Sequence, residues 1–346
     1  MPRPRVAHGK FLGAAALFAT TCASSRALRT EAPVPVTRHG ADRATTNYSE
    51  RFPEAKARLL AKLNEERRAA GASRLAYDPL AASVGDAFCL DSARTRSSGH
   101  WDIAGRPPYL RWGLAGGVDY HGENFSSLTR TGAAVEEAEV SRLLLDAHAH
   151  MMAEVPPHNG HRRAVLDPTW THVGFGAAVD GGEFRMVEEF SRHVAEWVEV
   201  PSAPLPAGRR APFGVKLPRG WVLASIEVGF EAPAHPLSRE ETRRRGAYAY
   251  PSASQHFLAR APANTQYPDG SRGEVSLVRG VVRIDIPLLS GPGNYYVFVF
   301  AAPGSVEGRT LSPLTAALIQ ATRRGSGGNE DPPERGLGKT RFVFPS

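Results

Sequence analysis

Cysteine is almost absent from this chain: 346 residues hold only Cys22 and Cys89. Cys22 ends a short N-terminal apolar run and is lost or modified with it, so Cys89 stands alone and an intrachain disulfide is excluded. Cys89 follows Phe88 on a predicted helix and reads as a buried, inert thiol. Long apolar runs are missing too. The stretch from Phe11 to Ala19 is too short to cross a bilayer as a mature helix. No basic stripe is interleaved with aromatics, which argues against a nucleic-acid partner. Gly-x-Ser-x-Gly is absent and no histidine adjoins Cys89, so serine or cysteine nucleophile chemistry has no motif here. There is no internal repeat.

The chain is 42% hydrophobic, enough for ordinary cores, and its length suggests two domains. The formal net charge of +7 is uneven. Arg3, Arg5 and Lys10 open the chain, residues 51–195 are near neutral, and the surplus lies beyond them, including Arg243, Arg244 and Arg245. That run reads as a solvated face, with anionic polysaccharide or lipid headgroups as the functional alternative. Residues 1–25 have the basic start, apolar middle and small residues of an export signal. The protein is therefore expected to be exported, either extracellular or anchored at the outer envelope. Cys22, in Leu17-Phe18-Ala19-Thr20-Thr21-Cys22, resembles the acylated cysteine of a bacterial lipoprotein, although Thr21 departs from the usual Gly, Ala or Ser. Plain cleavage near Ala23 to Ser25 is the alternative.

Residues 26–50 have no period and read as a linker. A helix is predicted from Pro53, with Leu59, Leu60 and Leu63 at helical spacing, ending near Gly71. Asp78 and Pro79 supply the N-cap and first residue of a second helix that Ser97-Ser98-Gly99 stops. Residues 101–120 read as loop, and 133–152 as a helix broken by Pro156-Pro157. Residues 171–179 and 184–190 suit two strands joined at Asp180-Gly181-Gly182. The region 51–195 thus mixes helices with an antiparallel sheet. Residues 196–212 read as a second linker. Over 213–346 the pattern becomes short strands (221–230, 247–250, 256–260, 274–286, 295–301) between turns, which suggests a smaller all-β, sandwich-like domain. Within it 311–323 is predicted as a helix, 324–336 as flexible, and 341–344 as a last strand.

Three signatures carry chemistry, in this order: SSGH (97–100), HGENF (121–125) and NGHRRAVLDPTWTHVGFG (159–176). Imidazole and carboxylate bind divalent metals or move protons near neutral pH, so His100, Glu123 and His161 are candidates for one polar cleft. Each has a plain structural reading as well: a helix-ending histidine, a buried acid holding backbone amides, a histidine packed on the strand pair. His150 and Glu154 are four apart and would share a helix face. His148, His150 and His158 read as a surface cluster, with a separate metal site as the alternative.

Together the signatures resemble the CAP superfamily of cysteine-rich secretory, venom-antigen and pathogenesis-related proteins, in its bacterial SCP-like form. The opening run carries it at Asn64, Arg67, Gly71, Leu75, Asp78 and Leu80. Serine-glycine-histidine ending at His100, Gly122-Glu123-Asn124, Gly160-His161-Arg162, Val165-Leu166-Asp167-Pro168 and His172-Val173-Gly174-Phe175-Gly176 complete it over residues 53–192. The resemblance implies an α-β-α sandwich and a cleft with two histidines and two acids, which in some members holds zinc or another divalent ion. His100, Glu123 and His161 carry over by position. The fourth member does not, because the chain runs on as HAHMMAEVPPHNGH (148–161). Glu154 is the nearest acid and the candidate, with Asp146 as fallback. His100 and His161 are the expected metal ligands, with Glu123 and Glu154 as additional ones, and zinc would take such nitrogens and carboxylates at about 2.0–2.2 Å.

Three functions fit. The favoured one is a cleft that binds a lipid, glycan or other cell-wall material at the cell envelope. The alternative is a peptidase or esterase in which Glu123 or Glu154 activates a water. In the third, the four residues only stabilise the fold.

Overall fold

The computed structural model describes residues 36–37, 50–261 and 263–323. The export signal over 1–25 with Cys22, the flexible segment 324–336 and the strand at 341–344 lie outside the described residues, as does the 26–50 linker apart from residues 36, 37 and 50.

The described chain opens with β1 (Val36–Thr37), α1 (Pro53–Ala69), β2 (Ala76–Tyr77), α2 (Pro79–Thr95), α3 (Pro108–Leu114) and β3 (His121–Thr129). A short 3-10 turn (Glu137–Glu139), α4 (Val140–Met152), α5 (Gly160–Leu166) and the hairpin of β4 (His172–Asp180) and β5 (Glu183–Ser191) follow. α2 begins where the sequence puts it. The Asp78 carboxylate accepts the N–H groups of Leu80 at 3.0 Å and Ala81 at 3.2 Å, two of the donors a helix start leaves open. The helix expected from 133 starts later. The N–H groups of Arg130 and Val135 are bonded to the carbonyls of Gly182 and Gly181, which ties that stretch to the β4–β5 turn instead of letting it coil. The loop expected over 101–120 contains α3, with Pro108 at its first position.

Four strands form a sheet in the order β2-β4-β5-β3, with β3 on its edge. Side chains alternate across it. Val173, Phe175, Phe184, Met186 and Phe190 face a core shared with Leu59 and Leu63 of α1 and Leu144 and Ala147 of α4. On the other face α2 covers Ala178 and Val187 with Phe88, Cys89 and Ala93. There Gly174 and Gly176 lie against the backbone of α2 at Ala81, Ala82 and Gly85, so helix and sheet approach without side chains between them.

The rest comprises β6 (Glu196–Pro201), β7 (Leu205–Pro206), β8 (Arg210–Lys216), β9 (Trp221–Glu231), α6 (Arg239–Arg245), β10 (Ala253–Leu258), β11 (Ser276–Val278), β12 (Val281–Pro287), β13 (Gly293–Pro303) and β14 (Thr315–Thr322). Two five-stranded sheets, β1-β6-β8-β12-β11 and β10-β9-β13-β14-β7, enclose one apolar core. Three expectations are corrected here. The 196–212 linker is β6, β7 and the start of β8, because Trp197, Val200, Leu205 and Ala211 all turn into that core. The helix over 311–323 is instead strand β14, paired with β13 and alternating Ala317, Ile319 and Ala321 inward. Residues 247–250 form no strand, and their tyrosines cross to the helical region as described below. Among the described residues, no division into compact units separates the β sheets from the helical part.

Candidate functional site

The HGENF signature forms the start of the edge strand β3. Alternation sends Glu123 to the α2 face and Asn124 to the α4 face, and each meets one of the expected histidines. His100, just past the end of α2, places its Nδ1 2.8 Å from Glu123 Oε1. Asn124 donates to the backbone carbonyl of His161 at 3.2 Å. The Nδ1 of His161 in turn pairs with Glu154 Oε1, while its backbone N–H donates to Glu154 Oε2 at 3.0 Å. The expected four residues therefore form two histidine–carboxylate couples, joined through β3. Glu154 is the acid paired with His161; α4 ends at Met152, so Glu154 does not share a helix face with His150. Asp146 does not take part: it pairs with Arg142 at 2.8 Å on the surface of α4.

The two couples differ in access. The Glu123 side chain is fully buried, with His100 at 15% exposure. Glu154 and His161 are open at 23% and 36%. The Glu123 carboxylate is also fully engaged, since Oε2 takes a bond from Arg111 Nη2. Burial alone would raise its pKa, but Arg111 and His100 together outweigh burial and hold it below the usual carboxylate range. Directly opposite in register stands Glu189. Burial and the charge of Glu123 push the Glu189 carboxyl well up. Beneath it lies His121, 3.1 Å from Glu189 but out of line for a hydrogen bond, and stacked on Trp112 at 4.9 Å. Burial lowers the His121 pKa to about 3, leaving it neutral. Burial also opposes ionisation of Glu154, but the His161 partner and nearby N–H groups set its carboxyl below the ordinary value.

The sequence reading missed several members of this site. Arg111 lay in a stretch read as loop. Glu188 and Glu189 gave a usable signal: adjacent acids in a strand covered on both faces must both be buried. His148, read as part of a surface cluster, is fully buried, whereas His150 and His158 are exposed. It continues the inner stripe of Val140, Leu144 and Met151. Its Nδ1 lies 2.6 Å from Glu188 Oε1 and its Nε2 2.9 Å from Glu66 Oε2. Two carboxylates on two ring nitrogens call for the imidazolium, and although burial opposes it they raise the His148 pKa. Glu188 also accepts from Asn124 at 2.9 Å, so His148 supports Asn124 from behind. A raised folded pKa stabilises fully below the unfolded value of about 6.5 and is lost as pH rises through the folded value. Thermal melts between weakly acidic and alkaline pH should therefore show wild-type stability falling across that window. His148→Gln should be less stable at low pH and should lack that slope; equal slopes would refute the charged assignment.

The β region reaches the same residues. The loop after α6 brings Tyr248 edge-on to the His100 ring, centroids 4.7 Å apart. The Tyr248 hydroxyl accepts from the N–H of Glu123 and donates to its carbonyl at 3.2 Å. Tyr250 does the same for His121, at 3.2 and 3.4 Å. Two phenols thus satisfy the free edge of β3 where a neighbouring strand would otherwise sit.

Against known families, residues 60–190 match the model described as CAP, the cysteine-rich secretory protein family. Among solved structures, an extracellular protein containing an SCP domain from Bacillus anthracis str. Ames is 19% identical, with 40% of each chain covered and a TM-score of 0.31. An outer surface protein from Borrelia burgdorferi is 16% identical over 41% of this chain and 95% of its own, also at 0.31. This chain therefore spans 40% of the length of the Bacillus anthracis protein. No curated protein matches.

Proposed function

Because residues 60–190 match the CAP family model, we propose that this is an exported protein whose His100–His161 cleft binds a divalent metal and a cell-envelope ligand. No described helix is long and apolar enough to cross a membrane. Cys22 as a lipid anchor, and a lipid, glycan or cell-wall ligand, are part of the proposal. One observation carries the metal: each cleft histidine turns Nδ1 to a carboxylate. An N–H given to a carboxylate leaves the Nε2 lone pair outward, the arrangement that metal-ligating histidines use. In this reading the ion would be held by the two histidines. Glu123 would orient its histidine without touching the ion, since both its oxygens are taken. Among the described residues no group of three or more histidine, cysteine or acidic side chains is arranged to hold a metal, so the remaining positions would fall to water or ligand. A bound zinc would act as a Lewis acid or anchor there. Elemental analysis of the purified protein should find about one zinc or similar ion per chain, lost in His100→Ala and in His161→Ala. Absence of metal, with melting indifferent to zinc and chelator, would end this reading.

Hydrolysis is the second reading, and the difference in access favours one residue for it. Glu154 with His161 is the couple open to water, whereas Glu123 is buried and engaged. Any general base is accordingly assigned to Glu154. The sheets of residues 213–346, expected as a separate all-β domain, are assigned a role as a wall of the cleft through Tyr248.

A further inference from the structure

Behind the Glu123–Arg111 pair, on the side away from β3, α2 and α3 enclose a pocket of about 460 Å³. Its size is that of a small-molecule site. Leu80, Val84, Ala87 and Asp91 of α2 line it at positions i, i+4, i+7 and i+11, which is one stripe of a helix. The stripe runs roughly 16 Å at about 1.5 Å per residue. Phe88 and Leu114 complete the apolar wall, and Leu114 is left 43% exposed.

Four charged side chains line the pocket, and three of them are matched. Arg106 holds Asp102 at 2.7 Å, and Arg111 holds Glu123. Asp91 is left over: among the described residues its carboxylate has neither an ion pair nor a hydrogen bond. It also sits one turn from the C-terminal end of α2, where the helix dipole disfavours a negative charge. Burial and Asp102 raise its pKa, although Arg106, Arg111 and Arg94 oppose this. A half-buried anion beside an apolar wall of the pocket, against a dipole and with neither an ion pair nor a hydrogen bond, is matched by a cation with a hydrocarbon body.

We propose that this pocket binds a small primary ammonium compound with an apolar body, its charge on Asp91 and its hydrocarbon along Leu80, Val84, Phe88 and Leu114. The site is separate from the proposed metal cleft, and its test requires no metal. It reaches the cleft through one side chain, because the Arg111 guanidinium lies 3.7 Å above the Phe88 ring on the pocket side and pairs with Glu123 on the other.

The test is calorimetry on the purified full chain with octylammonium, octanoate and octanol as probes. Octylammonium is expected to bind at least tenfold more tightly than either of the others. Asp91→Asn should remove that preference while leaving octanol unchanged and the melting temperature equal or higher. Ala87→Trp, at an exposed position on the stripe, should block all three probes. Binding of octanoate as tight as octylammonium, indifference to Asp91→Asn, or no binding by any probe would overturn the assignment.

Discussion

Gly176→Ala is expected to abolish folding, or to lower unfolding stability by about 3 kcal/mol or more in a urea melt. A methyl group at Gly176 would stand within van der Waals radius of the Gly85 carbonyl, and one at Gly85 would lie 2.9 Å from the Gly176 Cα. Both neighbours are backbone and cannot rotate away. Relief would require α2 to rise from the sheet, opening the contacts of Phe88, Cys89 and Ala93 with Ala178 and Val187. Because His100 follows shortly after the end of α2, the same shift would separate His100 from Glu123. Gly160→Ala is the control, since nothing lies within 4 Å of the added methyl there. A Gly176→Ala protein as stable as Gly160→Ala would mean that the close approach of α2 and β4 is wrong.

Glu123→Ala is the second large effect. It leaves the Arg111 guanidinium buried without its carboxylate, and breaking a buried pair from one side costs about 3–5 kcal/mol. Replacing both partners, Glu123→Leu with Arg111→Met, should recover much of that loss, because apolar residues of similar volume need no counter-charge. Denaturant melts of the two single variants and the double variant measure this coupling. Additive losses would show that the pair does not act as a unit. The pH dependence has a definite sign. A carboxyl held below its ordinary value stabilises above the unfolded pKa of about 4.3 and loses that contribution as pH falls through the folded value. Acid melts should therefore show wild type losing its advantage over Glu123→Gln on the acid side.

Much of the helical half could be read in the sequence, because its punctuation is local. Asp78-Pro79 marks a helix start whatever surrounds it, and Asp180-Gly181-Gly182 marks a turn. Glu123 lies on the edge strand, and His100 and His161 lie on the two segments flanking it. Errors arose where tertiary contacts override local preference. Residues 315–322 have an alanine-rich sequence suited to a helix, yet pairing with β13 makes a strand of them. Prolines over 196–212 suggested a linker, but the apolar residues between them find a core. Arg111, Tyr248 and Glu189 were not recognised as site residues because their partners are remote in sequence. Tyr248 lies 125 positions from the strand whose edge it closes.

That closure restricts what the proposed cleft would accept. An extended peptide commonly docks by adding itself to an unpaired sheet edge, its main chain supplying the affinity. At positions 121 and 123 the main-chain groups are already answered by Tyr250 and Tyr248. A guest at this end of β3 could not be recognised through its backbone, and in the proposed cleft selection would fall to the chemistry of whatever side groups or rings it offered to the two imidazoles.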